Sequence, residues 1–177
     1  TRNFSISKIF SPSTKFFKGR NTIFFMELKE KTARKNLMRK KIVAGNWKMN
    51  LPLLEALALV SEINSMVNDE VMQDVAIIIA PPFPYLQSVR QLTKDNPKIH
   101  VAAQNCYSET KGAFTGEVSA EMLKSLGTEY VIIGHSERRN YFKEDNLFLS
   151  KKVMSVLSVD LIPIYCCGET LQERNAN

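Results

Sequence analysis

The sequence predicts an α/β domain in which helices cover a parallel sheet, and three observations carry this. Five short apolar runs rich in Val and Ile occur at Ile42–Ala44, Val75–Ala80, Ile99–Ala103, Tyr130–Ile133 and Leu161–Tyr165. Most read as continuous rather than alternating patterns, as strands buried on both faces require. Their starts lie 33, 24, 31 and 31 residues apart, about one βαβ repeat each. The intervals carry helix signals, and parallel neighbours can be joined only by such long crossovers.

The helices follow in chain order. Leu53, Ala56, Leu57, Val60, Ile63 and Val67 recur at spacings of three and four. Asn50 is the expected cap of that helix, with Pro52 tolerated in its first turn. Pro84 opens a second segment that runs to Leu92, before Asn96-Pro97 stops it. Ser119 caps a third, with Glu121 suited to its positive end. Met122, Leu123 and Leu126 form its apolar face, and Gly127 ends it. A fourth helix is expected from Leu147 to Leu157.

The 177 residues are 44% hydrophobic and 24% charged, with seven Gly and seven Pro, which is globular composition and excludes a wholly disordered or collagen-like chain. No apolar run approaches the length of a membrane-spanning helix, so no membrane partner is expected. The net charge of +6 is unevenly spread. Residues 1–40 carry 11 Lys/Arg against Glu27 and Glu30, a balance of +9, and residues 41–177 balance at −3. The basicity belongs to a leader, and the acidic body gives no support to nucleic-acid binding.

Residues 1–25 hold no acid, five basic residues, seven Ser/Thr and six Phe, a composition similar to an organelle transit peptide. A second reading makes residues 1–37 sequence upstream of a true start at Met38, which directly precedes the first strand segment. A third makes them a basic arm for anionic membranes or RNA. The expected division is therefore a leader over 1–40 and an α/β domain over 41–177. Cys106, Cys166 and Cys167 are an odd count without Cys-x-x-Cys spacing, so neither a disulfide framework nor a metal site is expected. A reducing compartment, the cytoplasm, is the default, with mitochondrion or plastid following from the transit-peptide reading.

In parallel sheets, sites form where the carboxyl ends of strands lead into helices. Four of the five predicted strand ends are polar: Gly45-Asn46-Trp47-Lys48, Gln104-Asn105-Cys106, the run Gly134 to Arg139, and Cys166-Cys167-Gly168-Glu169. Lys48 places a cation where an anionic substrate or developing oxyanion can lie, although a lone Lys is usually a solvated surface residue. Gly45 lets a ligand approach the backbone, whereas Asn46 alone is usually a turn residue satisfying the main chain. His135 is expected near a helix N-terminus, whose positive end favours a neutral imidazole able to donate to a carbonyl oxygen. Ser136 and Glu137 adjoin it, whereas His100 sits within Ile99-His100-Val101 without polar company and reads as structural. Glu137 reads as a supporting partner of Lys48 or Arg138 in preference to a base. The paired cysteines read as small apolar packing, not as nucleophiles.

Five blocks together resemble the triosephosphate isomerase family. They are Gly45 to Asn50, Ala103-Gln104-Asn105, Gly112 to Glu117, Gly134 to Arg139, and Cys167-Gly168-Glu169-Thr170. The resemblance extends from Lys41 to Asn177. It implies a (β/α)8 TIM barrel that interconverts dihydroxyacetone phosphate and glyceraldehyde 3-phosphate without a cofactor. It implies that His135 is the neutral electrophile and that Lys48 stabilises phosphate and enediolate. Asn46 would bind substrate, and Glu137 would be the carboxylate supporting Lys48. Cys166 would be the partly buried cysteine near the site. The stretch Asn105–Glu117 looks like the loop that docks into a partner subunit. Thr115 would project towards the partner subunit's lysine region, and Gln104 would anchor the same homodimer interface. A barrel of this type needs about 250 residues, so an incomplete barrel of about five βα units is expected here. The family's general-base Glu, closing lid and C-terminal phosphate donors have no counterpart in these residues. The expectation is a piece of a longer protein, inactive by itself. The alternatives are a non-catalytic half-barrel that self-associates and a different phosphosugar barrel enzyme.

Overall fold

A computed structural model describes residues 41–69, 75–169 and 171–176. The leader expected over 1–40 lies outside the described residues. Five strands form one parallel sheet in the order β1-β2-β3-β4-β5: β1 (Lys41–Asn46), β2 (Val75–Ala80), β3 (Ile99–Ala103), β4 (Tyr130–Ile133) and β5 (Ile162–Tyr165). The helices are α1 (Leu53–Asp69), α2 (Leu86–Thr93), α3 (Ala120–Ser125), α4 (Ser136–Tyr141), α5 (Asn146–Ser158) and α6 (Leu171–Asn175). A single 3-10 turn, Phe83–Tyr85, leads into α2.

The period-two geometry of a strand divides each apolar run between two layers. Ile79, Val101, Ala103, Val131 and Ile133 face the helices and pack with Val60, Leu86, Val89, Leu123, Leu149 and Val156. Ile78, Ala80, Ala102, Tyr130 and Ile132 form a smaller cluster on the opposite face. Both faces of the central strands are therefore covered, which is why their sequences do not alternate.

The outer strands differ from the expectation. Ile42 and Val43 are 50% and 61% exposed, and Ile162 is 52% exposed. Among the described residues β1 pairs only with β2, and β5 only with β4. An edge strand lacks a flanking neighbour to cover its side chains.

Local capping explains the starts of α3, α4 and α5 and corrects some expectations. Asn50 does not cap α1; its Nδ2 donates to the Trp47 carbonyl at 2.8 Å and closes the loop before the helix. Ser119 accepts from the Met122 N–H at 3.2 Å, as expected of a cap. Leu123 is fully buried, but Met122 is exposed and does not belong to the apolar face of α3. Gly127 takes φ +77°, where an added Cβ would lie 3.1 Å from Arg90 Nε, so glycine fits both the left-handed turn and the space. Helix α5 starts one residue earlier than predicted because Asp145 Oδ1 accepts from the Phe148 N–H at 2.7 Å. His100 has polar company after all: its Nδ1 lies 2.6 Å from Glu129 Oε2, a partner brought in by the chain entering β4. Replacing Asp145 with Ala removes one helix cap, and a loss of about 1 kcal/mol is expected, read as a lower urea midpoint with an unchanged slope.

Candidate active site

All five strands point the same way, so their carboxyl ends share one rim. An open cleft of about 650 Å³ lies there, and Asn46, Lys48, Gln104, His135, Glu137 and Arg138 are among its lining residues. Thr115 is the sequence-predicted site residue that does not line it; it lies on the exposed stretch from Glu109 to Glu117. The cleft wall is completed by Met49, Phe83, Tyr141 and Phe142, which the sequence reading passed over. Their signal was weak, because they sit in loops, a single 3-10 turn and the end of a six-residue helix, segments too short to show periodicity.

The loop after β1 is built to present Lys48. Asn46 Oδ1 accepts from the Lys48 N–H at 2.9 Å, a side chain substituting for a main-chain turn. Lys48 takes φ 54°, a left-handed conformation that a non-glycine residue holds only when its surroundings impose it. Gln104 supplies part of that surrounding. Its Nε2 donates to the Lys48 carbonyl at 2.9 Å and to the Ala80 carbonyl at 2.8 Å. The Trp47 N–H also donates to the Ala80 carbonyl, at 3.1 Å. The ends of β1, β2 and β3 are thus stitched together under the lysine. At Gly45, near the end of β1, an added Cβ would meet no protein atom within 4 Å.

The loop after β4 presents His135 and Glu137. His135 is the N-cap of α4, and its Nδ1 accepts from the Glu137 N–H at 3.3 Å. That bond uses the Nδ1 lone pair, so a neutral ring carries its proton on Nε2. Glu137 Oε1 accepts from Lys48 Nζ at 2.6 Å, and Glu137 Oε2 lies 3.5 Å from His135 Nδ1. Glu137 therefore joins the two strand ends, its carboxylate holding the cation of the first and its main-chain N–H the imidazole of the fourth. The hydrogen bond from Lys48, helped by the nearby positive charge, holds the Glu137 carboxyl below its ordinary value despite some desolvation. Both partners are about half exposed, so the pair contributes to placement more than to stability.

A buried ionic cluster supports this rim. Glu144 Oε1 accepts from Arg138 Nε at 2.7 Å and from Lys152 Nζ at 2.7 Å. Lys152 Nζ also donates to Asn105 Oδ1 at 2.8 Å, tying the end of β3 to α5. Lys152 and Glu144 are 1% and 2% exposed. Lys152 occupies a core-facing position on α5 among apolar residues, and nothing in its local sequence marks it as buried. Cys106 is fully buried nearby, and burial pushes its thiol up to about 12, far from a nucleophile's range. Burial also raises the Cys166 thiol. Among the described residues no cluster of His, Cys, Asp or Glu could hold a metal ion.

Five parallel βα units with a cleft on the carboxyl rim that gathers Lys48, His135 and Glu137 place the chain in the (β/α)8 barrel class, as an incomplete barrel. Residues 41–177 match the family model described as triosephosphate isomerase, and the chain belongs to that family. Similar proteins include the triosephosphate isomerase of Cytophaga hutchinsonii, 52% identical over 139 residues, 78% of this chain and 55% of the relative. The triosephosphate isomerase of Chloroherpeton thalassium is also 52% identical over 139 residues, 78% of this chain and 54% of its own. That of Bacteroides fragilis is 51% identical over 140 residues, 79% of this chain and 55% of its own. The chain spans about half the length of the curated relatives it matches.

Two outcomes separate the exposed pair from the buried cluster. Because the Glu137 carboxyl titrates below its ordinary value, Lys48 stays bound above that value. It is released only as pH falls through the lowered one. Carbon-detected NMR of Glu137 should show this, and Lys48→Ala should move its titration upward. Glu144→Ala leaves Arg138 and Lys152 facing each other without their anion, and a loss of about 3–5 kcal/mol is expected, measured by denaturant unfolding.

Proposed function

We propose that this rim forms part of the active site of a triosephosphate isomerase, which interconverts dihydroxyacetone phosphate and glyceraldehyde 3-phosphate. One observation carries the reading: Lys48 and His135, from loops 87 residues apart in sequence, line one cleft, and Glu137 holds the lysine with its carboxylate and the imidazole with its main-chain N–H. A base takes the proton from the carbon beside the carbonyl, and the electron pair moves onto the carbonyl oxygen to form an enediolate. His135 Nε2–H donates to that oxygen and relays a proton between the two substrate oxygens. The Lys48 ammonium stabilises both the phosphate and the developing oxyanion. Asn46 spends its carbonyl oxygen on the Lys48 N–H and keeps its amide NH2 to donate to substrate. No cofactor is used.

Glu137 is the one carboxylate lining the cleft among the described residues, and Lys48 occupies it. We therefore place the carbon base outside the described residues and expect no appreciable turnover from this chain alone. The whole protein acts as a homodimer in this reading. The exposed loop bearing Thr115 reaches towards the partner subunit's lysine loop, and Gln104 supports the lysine loop from within. A cytoplasmic location fits this activity, with mitochondrion or plastid as the location if the basic leader is a transit peptide.

The test is a chimera in which residues 41–177 continue into the remaining part of the Cytophaga hutchinsonii relative. It should isomerise triose phosphate, while the 177-residue chain should not. In the chimera His135→Gln should lower kcat by about 10²–10⁴, and Lys48→Ala by about 10²–10³. An active chimera indifferent to His135→Gln would refute the assignment.

A further inference from the structure

His135 is held at its ring by the Glu137 N–H, but the peptide that carries it is held by Arg139. The Arg139 Nε donates to the Gly134 carbonyl at 2.8 Å, and the Arg139 main-chain N–H donates to the His135 carbonyl at 3.1 Å. One residue therefore grips the carbonyls on both sides of the His135 Cα. The rest of the guanidinium is anchored elsewhere. Nη1 donates to Asn146 Oδ1 at 2.9 Å, at the start of α5. Nη2 donates to the Tyr165 hydroxyl at 3.1 Å and to the Cys166 carbonyl at 3.0 Å, at the end of β5. The guanidinium carbon lies 5.6 Å from the Tyr165 ring centroid. Gly134 makes room for this arrangement. It takes φ +75°, and a Cβ there would lie 2.9 Å from Arg139 Nη2 and 3.3 Å from the Cys166 carbonyl oxygen.

We propose that Arg139 is a positioning residue for His135: its guanidinium registers the β4 end against β5 and α5, fixing the imidazole's tautomer and direction. The inference rests on the electrophile reading of His135 and names what holds that electrophile. A planar fork of donors in fixed directions is required, because four acceptors on three elements are engaged at once. A lysine ammonium on a flexible stem cannot reproduce those directions.

The chain has two histidines, so nitrogen-15 histidine labelling of the 177-residue protein gives two ring signatures, and His100→Gln assigns them. Near neutral pH the unaltered chain should show His135 protonated on Nε2. In Arg139→Lys the other tautomer should appear, its disfavour falling about tenfold, as the loss of one hydrogen bond allows. Exchange of the Glu137 amide should quicken by a similar factor, with the amides of β2 and β3 as protected as before. A role confined to stability would lower the unfolding midpoint and leave the ring signature of the folded form unchanged.

Should Arg139→Lys fail to fold, Asn146→Ala and Tyr165→Phe each remove one bond from the guanidinium. Both should shift the same signature by a smaller amount. A folded Arg139→Lys with the original His135 signature overturns the proposal, as do both milder variants without effect. The readout needs no turnover. An inert chimera with an intact tautomer response refutes the isomerase reading alone, and an active, His135-dependent chimera without that response refutes the clamp alone.

Discussion

In a parallel sheet every strand finishes on the same rim, and that constraint organises this protein. Loops that follow strands starting 24 to 34 residues apart become neighbours because those strands pair side by side in sequence order. Backbone pairing alone brings Asn46, Gln104 and His135 to one rim. Side-chain bonds between adjacent loops then supply the accuracy that chemistry needs.

Two ionic systems divide the work of the rim, and their burial decides how. Lys48–Glu137 lies in water, where screening leaves it little energy, and it serves to aim two side chains. Glu144 and Lys152 lie out of water, where an unmatched charge is costly, and with the partly exposed Arg138 they fix the loop after β3 against α4 and α5. Strain at the left-handed Lys48 fits the same division, since the Asn46 and Gln104 bonds over-determine a conformation the lysine would not choose.

Much of this was readable from residue order. Apolar runs located all five strands, and those of the three central strands do not alternate because both of their faces are covered. Ser119 and Gly127 marked the two ends of α3, because capping and left-handed turns have narrow residue requirements. The reading failed where a property depended on remote neighbours. Ile42 and Val43 look like core and lie on an edge. His100 looks isolated and meets Glu129 across the sheet. Asn50 failed for a local reason: two uses of its side chain compete within a few residues, and it closes a loop onto Trp47 instead of capping α1.

Local pattern therefore determined the class of fold, the order of its elements and the loops that carry chemistry. Those depend on periodicity and capping, which act over a few residues. Tertiary structure decided that Glu137 meets Lys48, that Lys152 is buried beside Glu144, and that Arg139 spans β4, β5 and α5. Each of these pairings depends on strand register and on which helix face turns inward. A charged side chain carries no local mark of the partner that packing will bring to it.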